Sequence, residues 1–253
     1  MPAIPLPAST VVLVRPDAAR RFEIYLNRRP EQMDTYAGVY VFPGGRVEAS
    51  DWSTAMINLT RGITPDEAQK KLGVDLQPEL CLGYWVAAVR ELFEEVGIHF
   101  FLSESESNGA QLHQTFLNRV AAERAALQRG EIAFADFLLS ERLYCDLARL
   151  HYIFHRITPE HYRVRFDTRF YLAALPPEQR PIDAVEEVSE SLWISPERAL
   201  ERHQAGNFPM MPPTLMVLRN LSAHRTWEEV RDAFDLLGDS LLGLASGRAG
   251  APG

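Results

Sequence analysis

The sequence predicts an α/β (α+β) fold, and three observations carry that expectation. Short β-branched and aromatic runs intermix with capped helical patterns along all 253 residues, with no separation into an all-strand and an all-helix half. Hydrophobic residues make up 46% of the chain and charged residues 24%, a globular composition that can fill a sizeable core. No internal repeat or linker-like shift of composition divides the chain, so one domain over 1–253 is expected.

The elements follow in order. TVVLV (Thr10 to Val14) and FEIYL (Phe22 to Leu26) are short strand-forming runs split by the polar PDAARR, which predicts a hairpin. VYVF (Val39 to Phe42) predicts a third strand, ended by the breaker Pro43-Gly44-Gly45. Thr64-Pro65-Asp66-Glu67 supplies an N-cap, a proline at the first helical position and the glutamate of a capping box, so a helix runs to about Leu72. Gln77-Pro78-Glu79 opens a longer helix that Gly97 closes. SESESNG (Ser103 to Gly109) reads as a loop, followed by helical patterns near 110–128 and 133–142. Leu150 to Ile157, Phe170 to Leu175 and Glu187 to Ile194 predict strands. Ser195-Pro196-Glu197 caps a further helix, two more helical segments lie near 213–222 and 226–237, and the tail after Ser246 is expected to be disordered.

Bulk charge excludes some classes of function. A net charge of −8 and a pI near 5.4 provide no basic field for nucleic acid or an anionic membrane, so an anionic ligand needs local groups or a metal. The chain has no eighteen-residue apolar run, no basic-then-apolar start and no targeting tripeptide at GRAGAPG. Two cysteines, Cys81 and Cys145, suit a reducing compartment. A cytoplasmic protein with no membrane partner is the expectation.

RELFEEVGI, residues 90–98, sets three glutamates and an arginine close together. At about 100° per residue, Glu95 and Glu94 lie roughly 40° and 60° to either side of Glu91, so the three carboxylates share one face. Trp85, Val86, Val89, Leu92, Phe93 and Val96 occupy the opposite arc. Like charges at these spacings repel, and a divalent cation reverses the sign because hard cations take carboxylate oxygens. A solvated acidic face is the bland reading. What argues against it is the strand ending at Phe42-Pro43-Gly44-Gly45, where bare backbone can approach phosphate or metal.

RELFEEVGI matches the second half of the Nudix box, R-E-U-x-E-E-x-G-U with U a bulky aliphatic, at every position. At roughly 5% per residue type, such a match arises by chance about once in 10⁵ chains of this length. The first half, G-x5-E, is similar to Gly45-Arg46-Val47-Glu48-Ala49-Ser50-Asp51, with aspartate replacing glutamate. The family has seven residues before the arginine and this chain has 38, so the box is interrupted by 31. That resembles the Nudix branch containing the mammalian peroxisomal coenzyme A diphosphatase. Gly38-x3-Phe42-Pro43-Gly44-Gly45, RFDTRFYL (165–172), Glu186/Glu187 with Trp193 and Pro196, and Met211-Pro-Pro-Thr214 also look like that branch, which covers about 10–220.

The resemblance implies a Nudix fold, a mixed sheet sandwiched between helices, with extra helices from the insertion and at the C-terminus. It implies hydrolysis of a small nucleoside diphosphate derivative, coenzyme A or acyl-CoA first and ADP-ribose or a dinucleotide as rivals. Glu91, Glu94 and Glu95 are then the ligands of Mg²⁺ or Mn²⁺, with Arg90 catalytic by orienting a glutamate, and Gly44, Gly45, Arg46 and Phe42 touch substrate. Arg90 has Asp51 or Glu48 as its partner, and the general base is Glu91, Glu186 or Glu187. A non-catalytic nucleotide-sensing module is the reading from another class. The 52–82 insertion shapes the substrate mouth or a homodimer contact. Beyond the box, Arg163, Arg165 and Arg169 read as phosphate contacts or sheet salt bridges. Tyr36 and Tyr40 are potential adenine stackers. His151 and His155, about 13 Å apart on a strand, do not suit one metal.

Overall fold

β1 (Leu6–Pro16) organises the main sheet. It carries alternating apolar residues to both faces, Val11 and Leu13 to one core and Val12 and Val14 to the other, as a strand covered on two sides must. Along one edge it runs parallel to β9 (Phe166–Ala174), from Leu6 opposite Phe166 to Val14 opposite Ala174. Its other edge is shared. Residues 14–16 pair antiparallel with β2 (Phe22–Arg28), and residues 8–10 pair with β4 (Gly44–Arg46). β3 (Tyr40–Val41) lies on β2, β8 (His151–Ile157) on β9, and β10 (Glu190–Ile194) on the far edge of β2. The computed structural model describes residues 3–17, 21–32, 37–103, 113–182 and 190–237.

Helices cover both faces, as expected of an α/β/α sandwich. One side holds α3 (Pro78–Val96), with α1 (Thr54–Asn58), α2 (Pro65–Leu72), α4 (His113–Arg119), α5 (Ala121–Gln128) and α6 (Phe134–Glu141) around it. The other side holds α7 (Pro196–Gln204), α8 (Pro212–Leu221) and α9 (Trp227–Leu237). The first core joins Val11, Leu13 and Tyr171 to Trp85, Val89 and Phe93, while the second joins Val12, Leu26 and Phe170 to Phe208, Leu218 and Leu221. Among the described residues no helix is long and apolar enough to cross a membrane.

Local chemistry explains most boundaries. Thr64 caps α2 by accepting from the Glu67 amide, and Glu67 returns a bond to the Thr64 amide at 2.8 Å. Gly97 ends α3 at φ +69°, a left-handed turn that costs glycine little. The structure also departs from the sequence reading. Gly44-Gly45 is strand β4, and a second small sheet of β5 (Thr60–Arg61), β7 (Leu143–Asp146) and β6 (Phe101–Ser103) stands beside α3. Strands of two to four residues are too short to show a period of two. The 110–128 pattern is two helices joined at Val120, which is fully buried. The Ser103 to Gly109 loop beyond Ser103, and the tail after Ser246, lie outside the described residues.

From Cys81 to Arg90, α3 is buried all round, so the two-faced helix expected from the sequence holds only over its last two turns. The insertion accounts for this, since Met56, Leu59, Ile63, Ala68 and Leu72 pack into the first core. Phe93 points away from the glutamates and stacks on Phe137 at 5.2 Å, with Phe101 edge-on at 5.2 Å. Phe93→Ala is expected to cost about 3–5 kcal/mol, read as a lowered urea midpoint.

Candidate active site

Arg90 is the centre of the acidic cluster. It is buried, and each of its five N–H donors has an acceptor. Nε and Nη2 reach the two oxygens of Asp51 at 2.8 and 3.0 Å, Nη1 reaches Glu91 at 2.8 Å and Glu94 at 3.1 Å, and Nη2 also reaches the Arg46 carbonyl at 2.8 Å. A guanidinium with five fixed donors can tie three segments together in a way no ammonium could. Burial works to lower the Arg90 pKa, and Asp51, Glu91 and Glu94 outweigh it, holding the group firmly protonated.

The carboxylates are fixed one at a time. Asp51, 1% exposed, sits at the end of the 3-10 turn Ala49–Trp52 and accepts the Glu48 amide at 2.8 Å. Between the two alternatives open in the sequence, Asp51 is thus the side chain paired with Arg90, and Glu48 contributes backbone. Burial pushes the Asp51 carboxyl up, and the guanidinium that clamps both its oxygens opposes that. Glu95 accepts the Gly44 amide at 3.0 Å. Glu91 lies against Gly45, where an added Cβ would stand 2.3 Å from its carboxyl carbon. Glu94 is pushed up to about 8, chiefly by burial, with Glu91 and Asp51 adding to the rise and Arg90 opposing it.

Three contacts align these parts. Ser9, opposite Gly45 in the β1–β4 pair, donates to the Tyr84 carbonyl at 2.6 Å, which docks α3 on the sheet two turns before Glu91. Gly83 leaves room for Trp52, whose Cβ lies 3.0 Å from where a Gly83 Cβ would be, and so holds the Asp51 turn against the helix. Gly44 has φ +150°, and a Cβ there would strike the Ser9 carbonyl oxygen at 2.2 Å. The sequence reading missed Ser9 and Gly83. The one available signal was a serine in register with Val11 and Leu13 on the core-facing side of β1.

The remaining expected residues are distributed as follows. Arg46 supplies its carbonyl to Arg90 and exposes its side chain. Phe42, expected to touch substrate, is instead buried in the second core, because strand alternation turns it away from α3. Tyr40 is buried as well, stacked on Phe208 at 3.6 Å and bonded to Glu190 at 2.7 Å, which leaves no ring face for a base. Arg169 is buried, ion-paired to Asp167 with its guanidinium over the Tyr84 ring. Arg165 bonds the Thr158 and Ala3 carbonyls at 2.9 and 2.8 Å, and Arg163 is exposed. His151 and His155 are both on β8, and His155 bonds Asp167 at 2.6 Å. Glu186, Glu187 and Tyr36 lie outside the described residues.

Comparison with known proteins places this geometry in a family. The model of the NUDT19 Nudix domain matches residues 3–221. An acyl-coenzyme A diphosphatase NUDT19 of Xenopus laevis is 24% identical over 229 residues, covering 79% of this chain and 60% of that protein. The Gallus gallus protein of the same name is 28% identical over 235 residues, at 79% and 61% coverage. The chain therefore spans about three fifths of the length of these relatives. The crystal structure of a NUDIX hydrolase from Alicyclobacillus acidocaldarius superposes with a TM-score of 0.74 at 28% identity, covering 89% of this chain and 95% of that one.

Two tests follow from the geometry. A Glu94 pKa near 8 against an ordinary 4.5 favours the protonated carboxyl in the folded, cation-free protein. Its stabilising contribution is full below about pH 4.5 and lost as pH rises through 8, a loss on the order of a few kcal/mol. Denaturant titrations from pH 5 to 8.5 should show that loss in the wild type and a flatter profile in Glu94→Gln. Gly45→Ala should lower the melting temperature, since the Glu91 carboxylate that must swing aside is an acceptor of the buried Arg90. It should lower turnover at least tenfold by displacing Glu91.

Proposed function

The chain belongs to the NUDT19 Nudix domain family, and from that premise we propose that it is a divalent-cation-dependent diphosphatase acting on a nucleoside diphosphate derivative. Its preferred substrate in this reading is coenzyme A or an acyl-CoA, cleaved to 3′,5′-ADP and a phosphopantetheine product. The observation that carries the hydrolase reading is the acidic cluster beside the Gly44–Gly45 backbone, in which Arg90 holds Glu91 and Glu94 and the Gly44 amide holds Glu95. The coenzyme A preference is supported by the names of the relatives at 24% and 28% identity. We read the described elements as one hydrolase domain, and the two buried free cysteines agree with a reducing, cytoplasmic setting.

The donor set suits a hard cation. Glu91, Glu94 and Glu95 offer carboxylate oxygens, and the adjoining Gly44–Gly45 strand offers backbone carbonyls, the ligand types that Mg²⁺ and Mn²⁺ take. Among the described residues no three acidic, histidine or cysteine side chains are already arranged as a ready cage. The contacts explain this, because Glu91 and Glu94 turn to Arg90 and Glu95 to the Gly44 amide. When bound, the cation neutralises the diphosphate and lowers the pKa of the attacking water.

The side chains supply the rest. Arg90 holds Glu91 and Glu94 in position, and Asp51 holds Arg90. One of Glu91, Glu186 and Glu187 accepts the proton that water loses as it attacks phosphorus and the anhydride P–O bond breaks. Gly44 and Gly45, lacking side chains, let the diphosphate lie close to the carboxylates.

The assay is product release from coenzyme A, ADP-ribose, NADH and diadenosine polyphosphates in the presence of Mg²⁺ or Mn²⁺. Preferential 3′,5′-ADP release from coenzyme A is the expected result. Faster cleavage of ADP-ribose would reject the substrate preference, and nucleotide binding without turnover would indicate a sensing module. Glu95→Gln should abolish turnover with an unchanged far-UV spectrum and shrink the melting-temperature rise that Mg²⁺ gives the wild type. An undiminished rate in that variant would remove Glu95 from the ligand set.

A further inference from the structure

The end of β2 and the residue just past it carry two polar groups that the chemistry above does not use. Asn27 is 4% exposed, and its Oδ1 is buried with no hydrogen-bond partner among the described residues. Two positions on, the Arg29 Nε is buried and unpartnered in the same way. A buried carbonyl oxygen without a donor carries an uncompensated desolvation penalty, and such groups are rare enough in folded proteins to need a reason. The neighbouring Arg28 is different, since it bonds the Gly38 carbonyl at 3.2 Å and Glu31 at 2.5 Å.

Strand alternation places the pair. Phe22, Ile24 and Leu26 point into the second core, whereas Tyr25 points into the first and meets Trp193 at 5.1 Å. Asn27 follows Tyr25 with a period of two and so belongs to the α3 side of the sheet, and Arg29, one residue past the end of β2, donates its backbone amide to the Val39 carbonyl at 3.0 Å. Across the strands Asn27 faces Val41 on β3 and Ser191 on β10. Three residues past Val41 the chain reaches Gly44, whose amide holds Glu95. The unsatisfied Asn27 oxygen thus sits on the carboxylate side of the sheet, opposite the segment that leads into the glycine backbone.

Their chemistry selects a ligand. A carboxamide oxygen only accepts hydrogen bonds, so it repels phosphate oxygen and asks for an N–H or O–H. A guanidinium only donates, so it asks for an acceptor or an anion. We propose that Asn27 and Arg29 recognise the nucleoside part of the substrate. Asn27 Oδ1 accepts from a base amino group or a ribose hydroxyl, and Arg29 donates to an oxygen or ring nitrogen of the same moiety. This rests on the diphosphatase reading above and adds a specificity edge to it. An unpaired acceptor is tolerated at this position because the substrate supplies its partner, as in a site built to reject analogues lacking a hydroxyl or amino group.

Asn27→Leu keeps the shape and removes the acceptor. In the ligand-free protein its melting temperature should equal or exceed that of the wild type, because a desolvation penalty is removed. KM for coenzyme A and ADP-ribose should rise at least tenfold, with kcat falling much less, and Arg29→Met should also raise KM. Calorimetric titration with ADP and 3′,5′-ADP should show the same weakening without any turnover. Wild-type KM and Kd in Asn27→Leu would overturn the proposal. So would a loss of melting temperature that parallels the loss of affinity, which would make Asn27 structural. If the wild type cleaves no diphosphate, the hydrolase reading fails separately, and the titration still decides: a tenfold weaker Kd in the variant sustains the recognition role, and no binding by the wild type ends it.

Discussion

The arrangement depends on one buried cation, the Arg90 guanidinium. A group of this kind is excluded from a protein interior unless each donor is matched. Here the five acceptors come from the 3-10 turn, the end of β4 and the helix that carries Arg90 itself. Satisfying them forces those three segments into one geometry. A positioning residue thereby becomes a folding constraint, and loss of its partner Asp51 would leave a buried charge uncompensated, a change that in buried pairs typically costs 3–5 kcal/mol.

The acidic face is held under opposing forces. Arg90 attracts Glu91 and Glu94, yet burial and mutual repulsion are strong enough to push Glu94 up to about 8. In the proposed function, one doubly charged ion would relieve both repulsion and desolvation. The Asn27 Oδ1 and the Arg29 Nε, without a hydrogen-bond partner among the described residues, follow the same logic in the recognition proposed for them. Asn27 is carried by a strand whose Phe22, Ile24, Tyr25 and Leu26 are committed to the two cores.

The insertion that interrupts the acidic motif is part of this support. Its residues pack into the first core and cover α3 on the side that the sheet does not. The helix could therefore be apolar around most of its circumference and reserve its last two turns for chemistry. Trp52 against Gly83 fastens the start of the insertion to the helix, so the long detour between Asp51 and Arg90 ends with the two side by side.

The sequence by itself determined the elements whose signals are local. These are the capping box of α2, the glycine stop of α3, the strand runs around β1 and β2, and the spacing that puts Glu91, Glu94 and Glu95 on one helical face. It could not show that Gly44–Gly45 pairs as a strand or that the small sheet exists, because pairing partners and strands of two to four residues leave no periodicity to read. The burial of Phe42, Tyr40 and Arg169, the choice of Asp51 over Glu48, and the docking role of Ser9 were all decided by tertiary structure. Each depends on which side of a strand faces which layer, and on contacts between residues 39 to 75 positions apart, such as Asp51 with Arg90 and Ser9 with Tyr84. Composition and spacing fix what a segment is able to do, and only the closed fold fixes which neighbour it does it with.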